Sequence, residues 1–353
     1  MAFSKEELAD KHSETSDELR RQLAEKESLL KQYRSNHGKL ELFFDDIKNA
    51  IIPIPSMEPY VAKNLVSGSR TDVCVHITDG HLGAMQEPEE IEHFNAFNID
   101  ICQRRQIYFA EQVIEYTHRM RKSFNIKHCS VIVTGDMISG DIHDELKITA
   151  EVPSPVQCVM AGDLLGTQLM MLAQHFETVT VEFIVADNHA RLTKKPQSKE
   201  EGKNSFNFIV GYIAKMRVER QENITFNLYP QYEKVVEVNG RRYLILHGHN
   251  IRGWMGIPFY GIERKIAKES TARMQLMMDE FFTMKDQIGF NKLIMGHYHI
   301  PMVSSLYSIG PSVQGTDAYD HKNGRHADPA QSCWLVNKHG ELGRIDFNLK
   351  AIL

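Results

Sequence analysis

Residues that bind divalent metals recur along this chain, each time directly after an apolar segment. Such apolar runs are typical of buried strands. The fragments, in chain order, are Asp79-Gly80-His81, Gly135-Asp136, Asn188-His189, His247-Gly248-His249 and Gly296-His297-Tyr298-His299. One fragment alone is weak evidence, because a buried histidine is more often a hydrogen-bonded core residue than a ligand. The whole ordered set predicts one site assembled from several strand ends.

These residue types favour a particular chemistry. Carboxylate, amide and imidazole groups together suit borderline divalent ions such as manganese, iron, zinc or nickel. A single aspartate can bridge two cations, since its oxygens offer several lone pairs. Two ions about 3.5–4 Å apart can generate a hydroxide and clamp the oxygens of a phosphoryl group. The pattern therefore predicts a two-metal hydrolase of phosphoesters.

The elements that must position these residues alternate in type. Strands predicted at 73–78, 130–134 and 179–186 are separated by helices predicted at 89–122 and 156–176. After a helix near 206–220 come close-spaced strands with an Asn239-Gly240 hairpin turn, a helix over 261–286 and further strands to the end. This order predicts an α/β layered fold, in which ligand sites lie beyond the carboxyl ends of the strands.

The N-terminal region differs from the rest. Residues 4–34 are polar and free of Gly and Pro, which predicts a helix, and the Pro-containing stretch IIPIPSMEP follows it. We expect residues 1–56 to form an N-terminal helical arm and linker, and residues 57–353 to form the main domain. The arm helix either lies on the body or drives self-association, so a homo-oligomer is one expectation.

The composition limits the cellular location and the binding partners that we expect for this protein. No apolar run approaches the roughly 20 residues that span a bilayer, so we expect no membrane contact. The charged N-terminus does not resemble a secretory signal. The 5 cysteines form no CxxC pair, which is typical of buried free thiols in a reducing compartment and favours the cytoplasm. A net charge of −5 leaves any nucleic-acid binding to local basic patches.

The ordered motifs Asp-x-His, Gly-Asp, Asn-His, His-Gly-His and Gly-His-x-His resemble the calcineurin-like metallophosphoesterase family over about residues 72–307. The resemblance implies a four-layer α/β/β/α sandwich and two divalent metal ions, manganese first and iron, zinc or nickel as alternatives. It implies that Asp79, His81 and His299 bind one metal, that Asn188, His247 and His297 bind the other, and that Asp136 bridges both. It also implies that His189 is the catalytic acid and that His249 lies outside the ligand set or is an alternative ligand.

The third motif departs from that family. The family has glycine where this chain has Asp187, and an acid where it has Ala190. An aspartate at the glycine position either supplies an additional metal ligand or hydrogen bond, or it weakens catalysis. Arg191 is a candidate for bidentate phosphate binding, with a surface role as the alternative. Asp141 and His143 are further candidates, although a solvated loop suits them better.

The substrate is less constrained. The second motif does not match the protein Ser/Thr phosphatases, and the chain looks closer to the SbcD-type nuclease and phosphodiesterase branch and to metallophosphoesterases encoded by bacteriophages, which implies the host cytoplasm. Basic segments at 118–128, 191–203 and 214–221 could follow a phosphate backbone, and Trp254, Phe259 and Tyr260 could stack on a base. We predict a phosphodiesterase acting on nucleic acid, a DNA nuclease. The alternatives are a cyclic- or small-nucleotide phosphodiesterase and a degenerate, non-catalytic structural or DNA-binding subunit.

Overall fold

The computed structural model describes residues 28, 49–63, 66–196, 198–253, 258–279, 281, 283 and 288–351. The chain divides into two compact units, Met1–Ile52 and Pro53–Leu353. The helix predicted over residues 4–34 lies outside the described residues, apart from Ser28, which is helical. The arm, its boundary at residue 56 and its part in self-association therefore stay predictions.

In the Pro53–Leu353 unit, strands and helices alternate before a run of close-spaced strands. The strands are β1 (Arg70–Ile77), β2 (Asn125–Val133), β3 (Thr178–Ile184), β4 (Ile224–Tyr229), β5 (Glu233–Val238), β6 (Arg241–Leu246), β7 (Lys292–Met295), β8 (Met302–Val303), β9 (Tyr307–Ile309), β10 (Ala330–Asn337) and β11 (Gly340–Asn348). The helices are α1 (Ile99–Met120), α2 (Asp144–Thr149), α3 (Ser154–Ala173), α4 (Phe206–Arg217), α5 (Phe259–Met278) and α6 (Ala318–Lys322), with a 3-10 helix at Pro88–Ile91.

The strands form two sheets. The larger has the order β11-β10-β1-β2-β3-β4, in which β1 to β4 are parallel, β10 runs antiparallel to β1, and β11 runs antiparallel to β10. The smaller has the order β5-β6-β7-β9-β8, in which β6, β7 and β9 are parallel. The predicted hairpin is confirmed: β5 and β6 pair antiparallel, and Asn239 and Gly240 have φ values of 50° and 80°, as a type I′ turn requires.

Three apolar clusters show how the layers stack. One lies between the larger sheet and helices α1, α3 and α4. A second, with Ile132 and Trp334 from one sheet and Tyr243 and Ile294 from the other, lies between the two sheets. The third lies between the smaller sheet and α5. The predicted four-layer α/β/β/α sandwich is therefore confirmed for this unit.

Two expectations need correction. The helix predicted from residue 89 begins only at Ile99, where the Asn98 side chain accepts a hydrogen bond from the Ile101 N–H. Helix α3 is long and apolar enough by composition to cross a membrane, with a mean hydropathy of 1.3, although the sequence suggested no run of that length. In this structure 67% of that apolar window is buried inside the protein. As predicted, the 5 cysteines are buried and unpaired.

Candidate dinuclear metal centre

The predicted ligands come together at one edge of the two sheets. Asp79 follows β1, Asp136 follows β2 and Asn188 follows β3, and these three strands are neighbours in the larger sheet. His247 follows β6, and His297 and His299 follow the neighbouring β7 of the smaller sheet. Since all five strands are parallel within their sheets, their carboxyl ends lie at common edges, and the two edges meet at this site.

The backbone beneath the ligands adopts a conformation that L-residues avoid. Asp79, His81, Asp136, His297 and His299 have φ values of 50°, 46°, 47°, 73° and 60°. Non-glycine residues in this left-handed region cost on the order of 1–3 kcal/mol each, and they cluster at functional sites. The turns here are therefore held by surrounding contacts, and they point the ligand side chains inward.

One group of donors consists of Asp79, His81 and His299. Nε2 of His81 lies 3.0 Å from Nε2 of His299. Oδ1 of Asp79 lies 3.9 Å from the first nitrogen and 3.7 Å from the second. All three side chains are buried or nearly so, and their ligand atoms lie close enough to share one metal ion.

The second group lies beside the first. Nε2 of His247 lies 2.9 Å from Oδ2 of Asp136 and 2.9 Å from Oδ1 of Asn188. His297 completes the group with Asp136 and His247. Asp136 also belongs to a cluster with His81 and His189, so it lies between the two groups, where a bridging ligand would be.

The ring nitrogens that face away from the centre define which atoms face it. Nδ1 of His299 lies 2.9 Å from Oδ2 of Asp320, and Nδ1 of His247 lies 2.8 Å from the Thr134 carbonyl oxygen. Both partners are acceptors, so each Nδ1 carries a proton and Nε2 is the ring nitrogen that faces the centre. Metal-bound histidines are oriented in the same way.

These Nε2 atoms lie close to other electron-rich atoms across the centre. In its neutral state, Nε2 of His247 would point a lone pair at two oxygen atoms, and Nε2 of His299 would point one at His81. Electron-rich atoms at these distances repel unless positive charge lies between them. The donor set thus fits divalent cations, and it contains the imidazole, amide and carboxylate groups that borderline ions accept.

The pKa values of His247 and Asp136 show that positive charge is stabilised at this centre. Burial by itself would lower the pKa of His247, but the Asp136 carboxylate raises it to about 10. Burial, which acts first, would raise the pKa of Asp136, yet His247 and His189 hold it well below its usual range. Burial and neighbouring imidazoles lower the pKa values of His81 and His297 well below 6.5, so both rings keep their lone pairs at neutral pH.

His189, the predicted catalytic acid, lies at the rim of the centre. Its backbone N–H donates to Oδ1 of Asp136 over 3.1 Å, and its Nδ1 lies 2.8 Å from the Ser139 carbonyl oxygen. Its ring is 4.6 Å from the ring of His81. With Nδ1 directed at a carbonyl, Nε2 is the atom left to exchange a proton with a substrate.

Arg191, the other predicted catalytic residue, uses its guanidinium inside its own loop. It donates to the carbonyl oxygens of Asn188, Thr193 and Lys194 at 2.8, 3.0 and 3.2 Å. In this structure the side chain therefore stabilises the loop after His189 and is not directed at a substrate. Its predicted contact with phosphate stays a prediction.

The sequence left open whether Asp187 makes a new contact or weakens catalysis, and in the structure it makes new contacts. It is fully buried and accepts hydrogen bonds from the backbone N–H groups of Asp136 (2.8 Å) and Ala190 (3.0 Å). Its φ is not in the left-handed region, so the position does not need glycine. Burial, and then the charge of Asp136, raise its pKa to about 8.

The remaining candidates lie outside the donor groups. Nε2 of His249 lies 2.6 Å from Oε1 of Glu201, so this nitrogen is occupied outside the donor groups. Asp141 and His143 are exposed, although the ring of His143 is 6.0 Å from the ring of His189. Sequence patterns gave no signal for Asp320, the partner of His299, because it follows no apolar strand.

The three basic segments do not share one groove. Segment 118–128 leads into the amino end of β2, and segment 214–221 leads into the amino end of β4. Both therefore lie at the opposite edge of the larger sheet from the metal ligands. Segment 191–203 alone follows the carboxyl end of β3, next to His189. Trp254 lies outside the described residues, and Phe259 and Tyr260 are 45% and 69% exposed at the start of α5.

No protein-family model and no curated protein matches this chain. Among solved structures it is similar to an archaeal phosphodiesterase, with 11% identity, a TM-score of 0.34, and coverage of 78% of this chain and 99% of that chain. It is also similar to Vps29 from Entamoeba histolytica complexed with Zn²⁺ (13% identity, TM-score 0.28, coverage 78% and 99%). A third similar structure is vacuolar protein sorting 29 from Cryptosporidium parvum (12%, 0.31, coverage 79% and 98%). At such low identities and TM-scores these similarities carry no argument, so the case for function rests on the geometry of the site.

Proposed function

We propose that this protein is a dinuclear-metal phosphodiesterase. The observation that supports the proposal is the convergence of buried donor atoms around Asp136, where Nε2 of His247 lies 2.9 Å from the Asp136 and Asn188 oxygens. Carboxylate, amide and imidazole donors in one buried set have the composition that borderline divalent cations accept. Asp79, His81 and His299 would hold one cation, Asn188, His247 and His297 would hold the other, and Asp136 would contact both.

Two bound dications supply a hydroxide at neutral pH and neutralise charge on the phosphoryl oxygens. The chain's own residues position that chemistry. Asp320 and the Thr134 carbonyl fix the ring orientations of His299 and His247. The Ser139 carbonyl fixes His189 so that its Nε2 can donate a proton to the leaving oxygen of the substrate.

We further propose that the substrate is a nucleic-acid phosphodiester, with DNA as the first candidate and manganese as the metal. Support comes from the loop at 191–203, where the exposed side chains of Lys194, Lys195 and Lys199 follow His189. These cations lie on the side of the sheet that carries the metal ligands, so they can contact phosphates that flank the scissile bond.

The proposal is tested by manganese-dependent hydrolysis of bis-p-nitrophenyl phosphate and of single- and double-stranded DNA. We expect Asp136→Ala to abolish manganese binding and all hydrolysis, with Asp141→Ala, an exposed aspartate of the same loop, as the matched control. We expect His189→Ala to bind manganese normally and to lose most turnover, about 100-fold or more for a general acid.

Each outcome has a separate meaning. Cleavage of both the diester and DNA supports a nuclease, whereas cleavage of the diester alone indicates a small nucleotide substrate. Normal turnover by His189→Ala on substrates with a poor leaving group would remove His189 from the mechanism. If manganese binds but no substrate is cleaved, the metal centre has a structural role and the enzymatic proposal is wrong.

A further inference from the structure

Three exposed or partly exposed rings cluster on the surface beside helix α6. Nδ1 of His321 lies 3.1 Å from Nε2 of His326, and the two ring planes differ by 20°. The ring of Phe94 is stacked on His326, with centroids 4.6 Å apart and planes 25° apart. We name the cluster of Phe94, His321 and His326 the ring cluster.

The ring cluster presents a flat surface. Since a hydrogen bond joins the edges of the two imidazoles, their small interplanar angle makes them a nearly continuous plate of two rings. Phe94 covers one ring of this plate, yet His326 is exposed and Phe94 is 42% exposed. Aromatic surface therefore stays open to solvent, where a further flat ring can stack.

The chain that carries the plate also contacts a metal ligand. Asp320 immediately precedes His321, and its Oδ2 lies 2.9 Å from Nδ1 of His299. Arg325 immediately precedes His326, and its Nε lies 3.5 Å from Oδ1 of the same Asp320. Because neighbouring Cα atoms are about 3.8 Å apart, the backbone of His321 lies one residue from Asp320, which contacts His299 of the first donor group.

The charged and aromatic groups around the ring cluster indicate which class of ligand it can bind. Among the described residues, His321 and His326 belong to no group that could hold a metal ion. Exposed glutamates at positions 89, 90 and 92 precede Phe94, so this surface is unfavourable for phosphate. Tyr319 is 67% exposed and lies under the Arg325 guanidinium, which adds another aromatic face at the same edge. An uncharged aromatic ring fits this surface better than an anion does.

We propose that the ring cluster is a base-stacking site, which binds a nucleobase of a single-stranded substrate whose neighbouring phosphate lies at the metal centre. This inference rests on the proposed function for its substrate class. Base–aromatic stacking is tolerant of sequence, so the site would favour unpaired nucleotides without reading their identity. It would also make the enzyme prefer nucleotide esters over diesters that lack a base.

The test uses the full-length protein in buffer with EDTA, where binding is measured apart from hydrolysis. Fluorescence anisotropy compares a labelled single-stranded oligothymidylate with an oligomer of the same length that has abasic sites. The variants are Phe94→Leu and His326→Ala. Their matched controls are Phe281→Leu, at a phenylalanine that is 93% exposed, and His339→Ala, at an exposed histidine in the turn between β10 and β11.

We expect the wild type to bind the oligothymidylate about tenfold or more tightly than the abasic oligomer, as stacking of one base allows. Phe94→Leu and His326→Ala should lose this preference, and both controls should keep it. The inference is overturned if either ring variant keeps the wild-type preference, or if the wild type binds both oligomers equally. Failure of the proposed function would instead appear as absent hydrolysis with manganese while the base preference persists.

Discussion

Asp187 provides the sharpest test of how the site is built. Replacing it with glycine restores the residue that the resembled family has at this position, and the sequence allowed activity to rise or to fall. In the structure, both carboxylate oxygens accept backbone hydrogen bonds, from Asp136 at 2.8 Å and from Ala190 at 3.0 Å. The first of these bonds supports the strained backbone of Asp136, the proposed bridging ligand, whose φ is 47°.

The size of the effect follows from those two bonds. A typical intramolecular hydrogen bond contributes about 0.5–1.5 kcal/mol, and a buried N–H left without an acceptor costs about 1–3 kcal/mol. Removing Asp187 also removes a polar group whose burial is itself unfavourable, which offsets part of that loss. We therefore expect Asp187→Gly to lower the free energy of unfolding by about 2–4 kcal/mol. Asp187→Asn keeps one acceptor oxygen and should lose about half as much.

Function should fall together with stability. A partner that orients a metal ligand contributes about 10–100-fold to metal affinity. We expect Asp187→Gly to weaken manganese binding by such a factor, measured by calorimetric titration, and to lower turnover of bis-p-nitrophenyl phosphate. Urea unfolding measures the stability of the metal-free protein. Asp141→Ala is the matched control, because that aspartate lies in the loop after Asp136 but is exposed.

One result would refute this reasoning. If Asp187→Gly unfolds at the wild-type urea concentration and turns over substrate as fast or faster, the two hydrogen bonds do not support Asp136. The aspartate would then be a handicap at a glycine position. If stability falls but manganese affinity stays at the wild-type value, Asp187 supports the fold of the loop without positioning the bridging ligand.

Two further predictions concern His76 and Asp320. Burial, and then the charge of Arg344, lower the pKa of His76 to about 3, whereas an unfolded histidine titrates near 6.5. The neutral ring therefore contributes stability that is present above about pH 6.5 and lost as the pH falls towards 3, on the order of 5 kcal/mol in all. In urea unfolding from pH 7 to pH 4, His76→Gln should lose less stability than the wild type, and equal losses would contradict the assignment. Asp320→Asn should weaken manganese binding about 10–100-fold, because the amide no longer supplies an anionic acceptor to Nδ1 of His299; an unchanged affinity would show that Asp320 does not orient this ligand.

The local sequence was sufficient to predict an α/β layered fold and to place the candidate ligands at strand ends. Buried strands are visible as apolar runs, and a polar residue directly after such a run must lie at the end of its strand. Asp79, Asp136 and His247 were identifiable for this reason. Parallel strands place such ends at one edge, so Asp79 and Asp136 lie at a common edge of the larger sheet, whereas their approach to His247 depends on how the two sheets pack. The Asn239-Gly240 turn was equally local, since it depends on two φ angles.

The tertiary structure decided which distant groups support those ligands. The hydrogen bond between Asp320 and His299 links residues from separate loops, and no periodicity in either segment predicts it. Asp187 looked out of place in its motif, but it is explained by an N–H group 51 residues earlier in the chain. The basic segments looked alike in sequence, yet strand direction places 118–128 and 191–203 at opposite edges of the sheet. A sequence pattern records the environment of a residue along its own element, whereas contacts between elements depend on how the whole chain packs.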